Sequence, residues 1–383
     1  MPVSVDGVNG ITFNDATTFN SASSLGMRNR IINGNMGIWQ RGTSFTSLTT
    51  SGTFSADRFY LNCGTIGTGV FSMTQSTDVP SGSGFPYSLL FQATTAISSL
   101  ASFTYATINQ CVEGINAADL AYGTAGAKTI TLSYWVKTTF NGTLNGGIIQ
   151  RSASTQRVFP WTYTVTNGTW TKVVVTIPGD TGGTIPYSNA IGFEIDFGYM
   201  AIGSGFSSGT PFIWNVNSAG NSYSSQTYNY FSSTSNTFQI TGVQLEVGSV
   251  ATAFDYRHYG TEFLLCQRYY WRWQSNPSAA YSMSPFFGQA LSTTSLTCTL
   301  VLPVPLRATA TTLDYANLGL TEEVNSFSIT GASIVGSTEA VPSVNDVNVY
   351  LSFASSGLTQ FRSYYVRANN SNNAYIGIGA EIV

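Results

Sequence analysis

The sequence predicts an all-β protein with an N-terminal arm, a large jelly-roll sandwich, a short linking helix and a smaller C-terminal β-sandwich. Three observations support this fold class. Apolar residues recur at every second position in many segments, Asn-Gly turn pairs separate several of those segments, and no long amphipathic helical pattern stands out. Because successive side chains of a strand point to opposite faces, this pattern is typical of antiparallel sheets that bury one face.

The arm comprises residues 1–25, a polar and aromatic-poor stretch in which only Ile11-Thr-Phe13 has a strand pattern. A segment of this kind is usually ordered by docking on another surface, and a frayed tail is the other interpretation. From the residues alone, both interpretations stay open.

The large domain comprises residues 26–257, and three of its alternating segments predict strands with one buried face. In the third segment the opposite face carries Gly192, Glu194, Asp196 and Gly198. The predicted inward sets are Ile130, Leu132, Tyr134 and Val136; Val173, Val175 and Ile177; and Ile191, Phe193, Ile195 and Phe197. We therefore expect a two-sheet sandwich.

The stretch 240–273 joins the two domains. Ile240 is an even apolar position, whereas Val243 and Leu245 are odd, so one strand needs an extra residue between them. We place a β-bulge at Thr241-Gly242, because glycine tolerates unusual backbone angles. Residues 258–266 are predicted to form the linking helix.

The C-terminal domain comprises residues 267–383 and contains an alternating run from Leu296 to Leu306. Pro303 and Pro305 lie on the opposite face of this run. Because proline cannot donate a ladder hydrogen bond, the run predicts an edge strand.

The composition is poor in ionisable side chains. Of 383 residues, 43% are hydrophobic and 9% are charged, against roughly 25% charged in an ordinary soluble domain. Few charges reduce repulsion between identical subunits and permit homo-oligomers, although a secreted monomer fits the same numbers. The net charge of −3 argues against nucleic acid as a partner, since phosphate contacts need clustered Lys and Arg.

The cysteines and the hydropathy pattern indicate neither a metal site nor a membrane segment. Cys63, Cys111, Cys266 and Cys298 are far apart in the sequence, so we expect buried thiols and no cofactor. No apolar run reaches the length of a membrane span, and the start lacks a secretion signal. We expect a chain that folds in the cytoplasm and does not insert into a membrane.

Catalytic motifs are scarce, and we do not expect an enzyme. His258 is the one histidine, and no G-x-S-x-G nucleophile motif occurs. Glu194 and Asp196 are two residues apart and therefore share a strand face. Such a pair could serve glycoside hydrolysis or bind calcium if it lined a cleft, although polar residues on the outer face of a half-buried strand are the ordinary outcome.

Aromatic side chains provide the better binding hypothesis. A sugar stacks its apolar face on Trp or Tyr while polar groups reach its hydroxyls. Packing of two cores and of a subunit interface is the competing explanation for the same aromatic residues. The candidate glycan-binding residues are Trp135, Trp161, Tyr163, Trp214, Glu194 and Asp196.

Three segments resemble a known family. They read NRIINGNMGIWQRGTSF near the start, ITGVQLEVGSVATAFDYR with YGTEFLLCQRYY at the domain boundary, and RANNSNNAYIGIGAEIV at the end. In this order they resemble segments of bacteriophage tail-fibre and related virion proteins. The strand order of the large domain also resembles the jelly rolls of carbohydrate-binding modules.

The resemblance implies a structural virion protein, a tail-fibre or spike subunit made in the host cytoplasm. It implies a homotrimer that attaches to other virion proteins through residues 1–25 and adheres to a bacterial surface polysaccharide. Two alternatives stay open at this point: a capsid-decoration or head-fibre protein, and a surface-polysaccharide depolymerase that uses Glu194 and Asp196.

Overall fold

The computed structural model describes most of the chain. The described residues are 28–151, 155–206, 208–218, 226–322, 326–334, 344–352 and 357–383, together with three short strands, β1 (Ser4–Asp6), β2 (Gly10–Thr12) and β3 (Thr18–Phe19). Strand β2 pairs with both β1 and β3, so the pairing expected at Ile11 is observed. The rest of the predicted arm lies outside the described residues.

The first domain is a sandwich of two antiparallel sheets. Its strands are β4 (Ser44–Leu48), β5 (Tyr60–Gly64), β6 (Val70–Ser76), β7 (Ser88–Thr95), β8 (Tyr105–Glu113), β9 (Ile130–Thr138), β10 (Gly142–Gln150), β11 (Arg157–Val165), β12 (Thr171–Ile177), β13 (Ile191–Asp196), β14 (Ala201–Ile202), β15 (Asn215–Val216), β16 (Tyr228–Asn229) and β17 (Thr237–Val247). Short 3-10 turns lie at Gly114–Asn116, Ala118–Leu120, Ser204–Phe206 and Tyr230–Ser232.

The two sheets enclose one apolar core. The six-stranded sheet has the order β12-β9-β17-β7-β6-β4. The eight-stranded sheet has the order β15-β11-β10-β13-β8-β14-β16, with β5 also paired to β8. All three predicted inward sets point toward this core, and only Ile191, at the start of its strand, lies outside the main cluster. The all-β fold class is therefore confirmed.

Strand β17 lies between β9 and β7 and contains the predicted bulge. Its register with β9 shifts between Thr241 and Gln244, and Gly242 has a positive φ of 63°. The segment after the arm pairs with the same strand: Arg30 N donates to Leu245 O at 2.9 Å, and Val243 N donates to Gly34 O at 2.8 Å. The bulge lets β17 keep apolar residues on the core side along its whole length.

The linking helix α1 (Tyr259–Gln267) matches the predicted position. Gly260 N donates to His258 Nδ1 at 3.3 Å, so the histidine acts as the helix N-cap. A smaller sandwich follows, with the strands β18 (Tyr270–Gln274), β19 (Met283–Ala290), β20 (Ser295–Val301), β21 (Thr312–Ala316), β22 (Leu318–Thr321), β23 (Ser326–Ser328), β24 (Gly331–Ile334), β25 (Asp346–Ser352), β26 (Ser363–Ala368) and β27 (Tyr375–Gly379).

The second domain has its own apolar core. A three-stranded sheet, β18-β27-β21, accompanies a seven-stranded sheet, β23-β22-β26-β19-β20-β25-β24. The predicted edge strand is wrong, because β20 pairs with β19 on one side and β25 on the other. Strand β20 ends at Val301, so Pro303 and Pro305 follow it and interrupt no ladder.

The helix and the C-terminal segment pack against the outer face of the eight-stranded sheet, which points away from the first core. Tyr60 and Cys111 on this face share an apolar cluster with Cys266, Tyr269 and Ile382. Part of the outer face is therefore interior to the molecule. All four cysteines are buried thiols, as expected. Within the described residues no helix is long and apolar enough to cross a membrane.

Candidate functional site

Glu194 and Asp196 lie side by side on the outer face of the eight-stranded sheet. In β13 they alternate with the core residues Phe193 and Ile195, and Asp196 is directly opposite Asn109 of β8. The sequence pattern predicted exposed carboxylates, but Glu194 is 3% exposed and Asp196 is fully buried. Alternation identifies the face correctly and does not reveal that other side chains cover it.

Both carboxylate oxygens of Glu194 have partners. Arg151 forms an ion pair with Oε2, with Nε at 2.8 Å. Asn109 Nδ2 donates to Oε1 at 3.1 Å and Asn62 Nδ2 donates to the same oxygen at 3.2 Å. Charge-assisted hydrogen bonds of this kind are roughly twice as strong as those between neutral groups. Glu194 is therefore a fixed, charged hydrogen-bond acceptor.

Asp196 has a contrasting environment. Its two oxygens are buried, and the side chains of Tyr199 and Asn109 lie close enough to hydrogen-bond with the carboxyl group. Burial raises its pKa to about 8, and the neighbouring charge of Glu194 adds to the shift. The carboxyl is therefore mostly protonated at neutral pH, because the effect of burial outweighs the hydrogen bonds from Tyr199 and Asn109 that favour its ionised form. The pair thus combines one charged and one neutral carboxyl group.

An aromatic group borders the pair. Tyr105 of β8 is half-buried on the same face, and its ring meets Phe206 edge-on at 5.6 Å between centroids. Phe103 meets the other side of Phe206 at 5.4 Å and is 50% exposed. Burial raises the pKa of Tyr105, and the ionised form of Asp196 raises it further. The Tyr105 hydroxyl group therefore lies near the carboxyl groups.

We call this set the carboxylate face and define it as Asn62, Tyr105, Asn109, Arg151, Glu194 and Asp196. Its partly exposed members are Asn62, Tyr105 and Arg151. They present an amide, a phenol ring and a guanidinium group. Groups of these chemical kinds are the ones that, in general, stack on the apolar face of a sugar or hydrogen-bond with its hydroxyls.

Trp161 and Tyr163 belong to the first core and not to this face. Trp161 is fully buried, and its Nε1 donates to Tyr134 Oη at 3.0 Å. Tyr163 Oη donates to Phe197 O at 2.9 Å. Trp161 is therefore corrected from a candidate glycan contact to a core residue, because a stacking platform needs an exposed ring.

Trp135 and Trp214 lie elsewhere on the first domain. Trp135 is half-buried on the outer face of the six-stranded sheet, beside Gly242 and Phe85. Trp214 packs edge-on against Tyr122, and its Nε1 donates to Pro178 O at 2.7 Å. Of the six candidate residues, the structure therefore brings only Glu194 and Asp196 together in one polar site.

Sequence reasoning missed the remaining members of the carboxylate face. Tyr105, Thr107 and Asn109 alternate in β8, and this signal was available in the sequence. Asn62 and Arg151 carry no comparable local signal, because their proximity to Glu194 arises from strand pairing across the sheet. Within the described residues no group of three or more His, Cys, Asp or Glu side chains is arranged to hold a metal ion.

Comparison with known proteins gives fold similarities only. No family model and no curated protein matches the chain. One similar structure is the enzymatically active domain of tailspike protein 4 of bacteriophage CBA120, with 14% identity, a TM-score of 0.28, and coverage of 57% of this chain and 21% of that one. The match thus spans about a fifth of that tailspike chain.

Two further structures cover most of their own length. A putative sugar binding protein from Bacteroides thetaiotaomicron has 11% identity and a TM-score of 0.33, over 58% of this chain and 100% of that one. The CBM22-1 xylan-binding domain of Paenibacillus barcinonensis Xyn10C has 8% identity and a TM-score of 0.27, over 54% and 94%. None of the three assigns a ligand to this chain.

Proposed function

We propose that this chain is a structural subunit of a bacteriophage tail fibre or spike that assembles with copies of itself and adheres to a host surface polysaccharide. The virion role is supported by the three ordered sequence segments that resemble tail-fibre proteins, at both ends of the chain and at the domain boundary. The low charge suits a particle component, since it leaves little electrostatic repulsion between neighbouring subunits.

The carboxylate face carries the polysaccharide-binding part of the proposal. The partly exposed ring of Tyr105 lies near the side-chain amide of Asn62 and the guanidinium group of Arg151. Arg151 is held in place by its ion pair with Glu194. Because the strands below are part of an eight-stranded sheet, these groups are held by a rigid support. Rigid, pre-arranged polar groups lower the entropy cost of binding a flexible polysaccharide.

We propose adhesion without catalysis. A retaining or inverting glycosidase needs one carboxyl group to protonate the leaving oxygen and another to attack or to activate water. In this structure Glu194 is 3% exposed and both its oxygens are engaged by Arg151, Asn62 and Asn109. A carboxylate held in this way suits a fixed structural acceptor better than a nucleophile.

Binding of the purified chain to host polysaccharide tests the proposal. The probes are lipopolysaccharide and capsular polysaccharide isolated from a panel of bacteria, with intact cells as a second readout. We expect Tyr105→Ala to weaken binding at least tenfold, because it removes the ring beside the polar groups. Tyr187→Ala is the matched control, since Tyr187 is 83% exposed and lies outside the carboxylate face.

Three results would overturn parts of the proposal. Absence of binding by the wild-type chain to every probe removes the adhesion role. Release of sugar fragments from a polysaccharide by the wild type, lost in Glu194→Gln, replaces adhesion by depolymerisation. Antibody labelling of intact particles at the capsid, with none on the tail, replaces the fibre by a capsid-decoration protein.

A further inference from the structure

One sheet face of the second domain carries large apolar side chains in solvent. Along β19, buried and exposed residues alternate strictly from Met283 to Ala290. The buried set packs on the core, and the exposed set includes Met283 at 50% and Phe287 at 62% exposure. A half-buried antiparallel strand ordinarily has polar residues on its outer face, so this strand departs from the usual pattern.

The neighbouring strands extend the apolar surface across the sheet. Tyr365 of β26 is directly opposite Phe287, with ring centroids 6.2 Å apart, and it is 53% exposed. Val301 at the end of β20 is 77% exposed, and Tyr281 before β19 is 51% exposed. We call Tyr281, Met283, Phe287, Val301 and Tyr365 the apolar face.

A groove opens within this surface. Strands β19 and β20 pair only through Gly288–Ala290 on β19. Where pairing stops, the strands leave a groove of about 610 Å³, lined by Trp271 and Phe286 from inside and by Phe287 and Val301 at its rim. The surface therefore combines projecting apolar side chains with a depression that can receive side chains of that kind.

The apolar face is large for a monomer and approaches one partner's share of a protein interface. Monomeric proteins rarely expose contiguous apolar patches above a few hundred Å². Large aromatic side chains have about 150–250 Å² of surface each, so five half-exposed side chains leave on the order of 400–600 Å². Each partner contributes about 800 Å² to an interface of standard size.

The chemistry of the face favours a second copy of the chain as its occupant. Two charged residues border the face: Arg367, whose guanidinium lies 4.5 Å from the Tyr281 ring, and Asp346, which is directly opposite Val301 in the ladder. Because their charges are opposite, the face has no net charge, and two copies of it do not repel each other. A polysaccharide is a poorer match, because Met283, Phe287 and Val301 have no side-chain hydrogen-bonding group for sugar hydroxyls.

We propose that the apolar face is the contact through which copies of this chain assemble, with projecting residues such as Phe287 and Tyr365 of one copy packed on the corresponding face or groove of another. This inference rests on the self-assembly included in the proposed function and locates it on the second domain.

Sedimentation equilibrium of the full chain over a wide concentration range tests the inference. We expect the wild type to sediment as a multiple of its 41.0 kDa monomer mass. The double variant Phe287→Ser with Tyr365→Ser is expected to weaken association at least a hundredfold. Tyr187→Ser is the matched control on the first domain and is expected to assemble as the wild type does. Near-ultraviolet circular dichroism verifies that each variant is folded, and hydroxyl-radical footprinting measures directly whether Phe287 is protected in the oligomer.

The outcomes separate this inference from the proposed function. If the wild type is oligomeric but the double variant assembles equally well, this location of the contact is wrong and self-assembly itself stands. The same conclusion follows if Phe287 stays reactive in the wild-type oligomer. A wild type that stays at the monomer mass overturns both. Protection of Phe287 only in the assembled particle, with a monomeric purified chain, identifies a different virion protein as the occupant and also overturns the inference.

Discussion

Arg58 and Glu381 form a buried ion pair that joins the two domains. Their side chains are 1% and 7% exposed. The Arg58 guanidinium also lies 3.5 Å from the centroid of the Tyr269 ring and donates to Cys111 O at 2.9 Å. Arg41 forms a second ion pair with Glu381 at 3.1 Å. Glu381 therefore pairs with two arginines where the C-terminal segment meets the first domain, and the buried carboxyl group of Asp57 lies near Arg41 in the same cluster.

Glu381→Gln should destabilise the protein strongly, because it leaves Arg58 buried without a counter-charge. Removing one partner of a buried ion pair costs about 3–5 kcal/mol. Urea unfolding of the full chain measures this loss. Lys128→Gln is the control, since Lys128 is half exposed and 3.8 Å from Asp119, and exposed pairs contribute under about 1 kcal/mol. Equal losses in the two variants would contradict a special role for the buried pair.

Asp196→Asn should change how stability depends on pH. Burial and the charge of Glu194 raise the pKa of Asp196 to about 8, against about 3.9 in an unfolded chain. The native state therefore holds a proton that the unfolded state releases, and stability falls as pH rises from about 4 to about 8. The variant lacks this fall, so at pH 8 it should exceed the wild type by more than about 1.4 kcal/mol, the free energy of one pKa unit.

Asp78→Asn should change the pH dependence of stability in the direction opposite to Asp196→Asn. Burial is the largest single effect on Asp78 and raises its pKa, but the hydrogen bonds from Lys137 and Trp170 and the charge of Lys137 together bring the pKa below its ordinary value. Its contribution to stability is therefore present above the unfolded pKa and is lost as the pH falls through the folded pKa. Asp78→Asn should lower stability at neutral pH and converge with the wild type in acid. Parallel pH profiles for the two variants would refute the assignment of a neutral Asp196.

The sequence predicted which side chains point into a core wherever apolar residues alternate along a strand. Ile130, Val173 and Phe193 each belong to such an alternating set and point into the first core. The bulge at Gly242 was predicted from the shift of this alternation by one residue. The burial of Glu194 was not predicted, because its face is covered by groups from distant segments, such as Arg151. Local periodicity reports which side a residue points to, whereas burial of that side depends on strand pairing and on domain contacts.

The bulge allows a test that separates backbone strain from packing. Gly242 has φ +63°, and a Cβ there would lie 2.5 Å from the Phe85 ring. Gly168 has φ +70° with open space around it. Gly168→Ala should cost about 1 kcal/mol from backbone conformation alone. Gly242→Ala should cost at least about 1 kcal/mol more, because Phe85 must move. Thermal unfolding measures both losses, and similar values would show that the Phe85 contact yields without cost.

The buried position of Trp161 gives a last prediction, which distinguishes core from binding residues. The indole packs against the backbone of Gly146, where a Cβ would lie 2.5 Å from the ring, and it donates to Tyr134 Oη. Trp161→Phe removes buried volume and one hydrogen bond, so the free energy of unfolding should fall by about 2–4 kcal/mol.

Polysaccharide binding by the folded Trp161→Phe protein should equal that of the wild type, because the ring never reaches solvent. Tyr105→Ala should show the reverse, with weakened binding and a smaller loss of stability. Titration with the same lipopolysaccharide at a temperature where both variants are folded measures the contrast. Loss of binding in Trp161→Phe with unchanged stability would place the contact surface at β11 instead of at the carboxylate face.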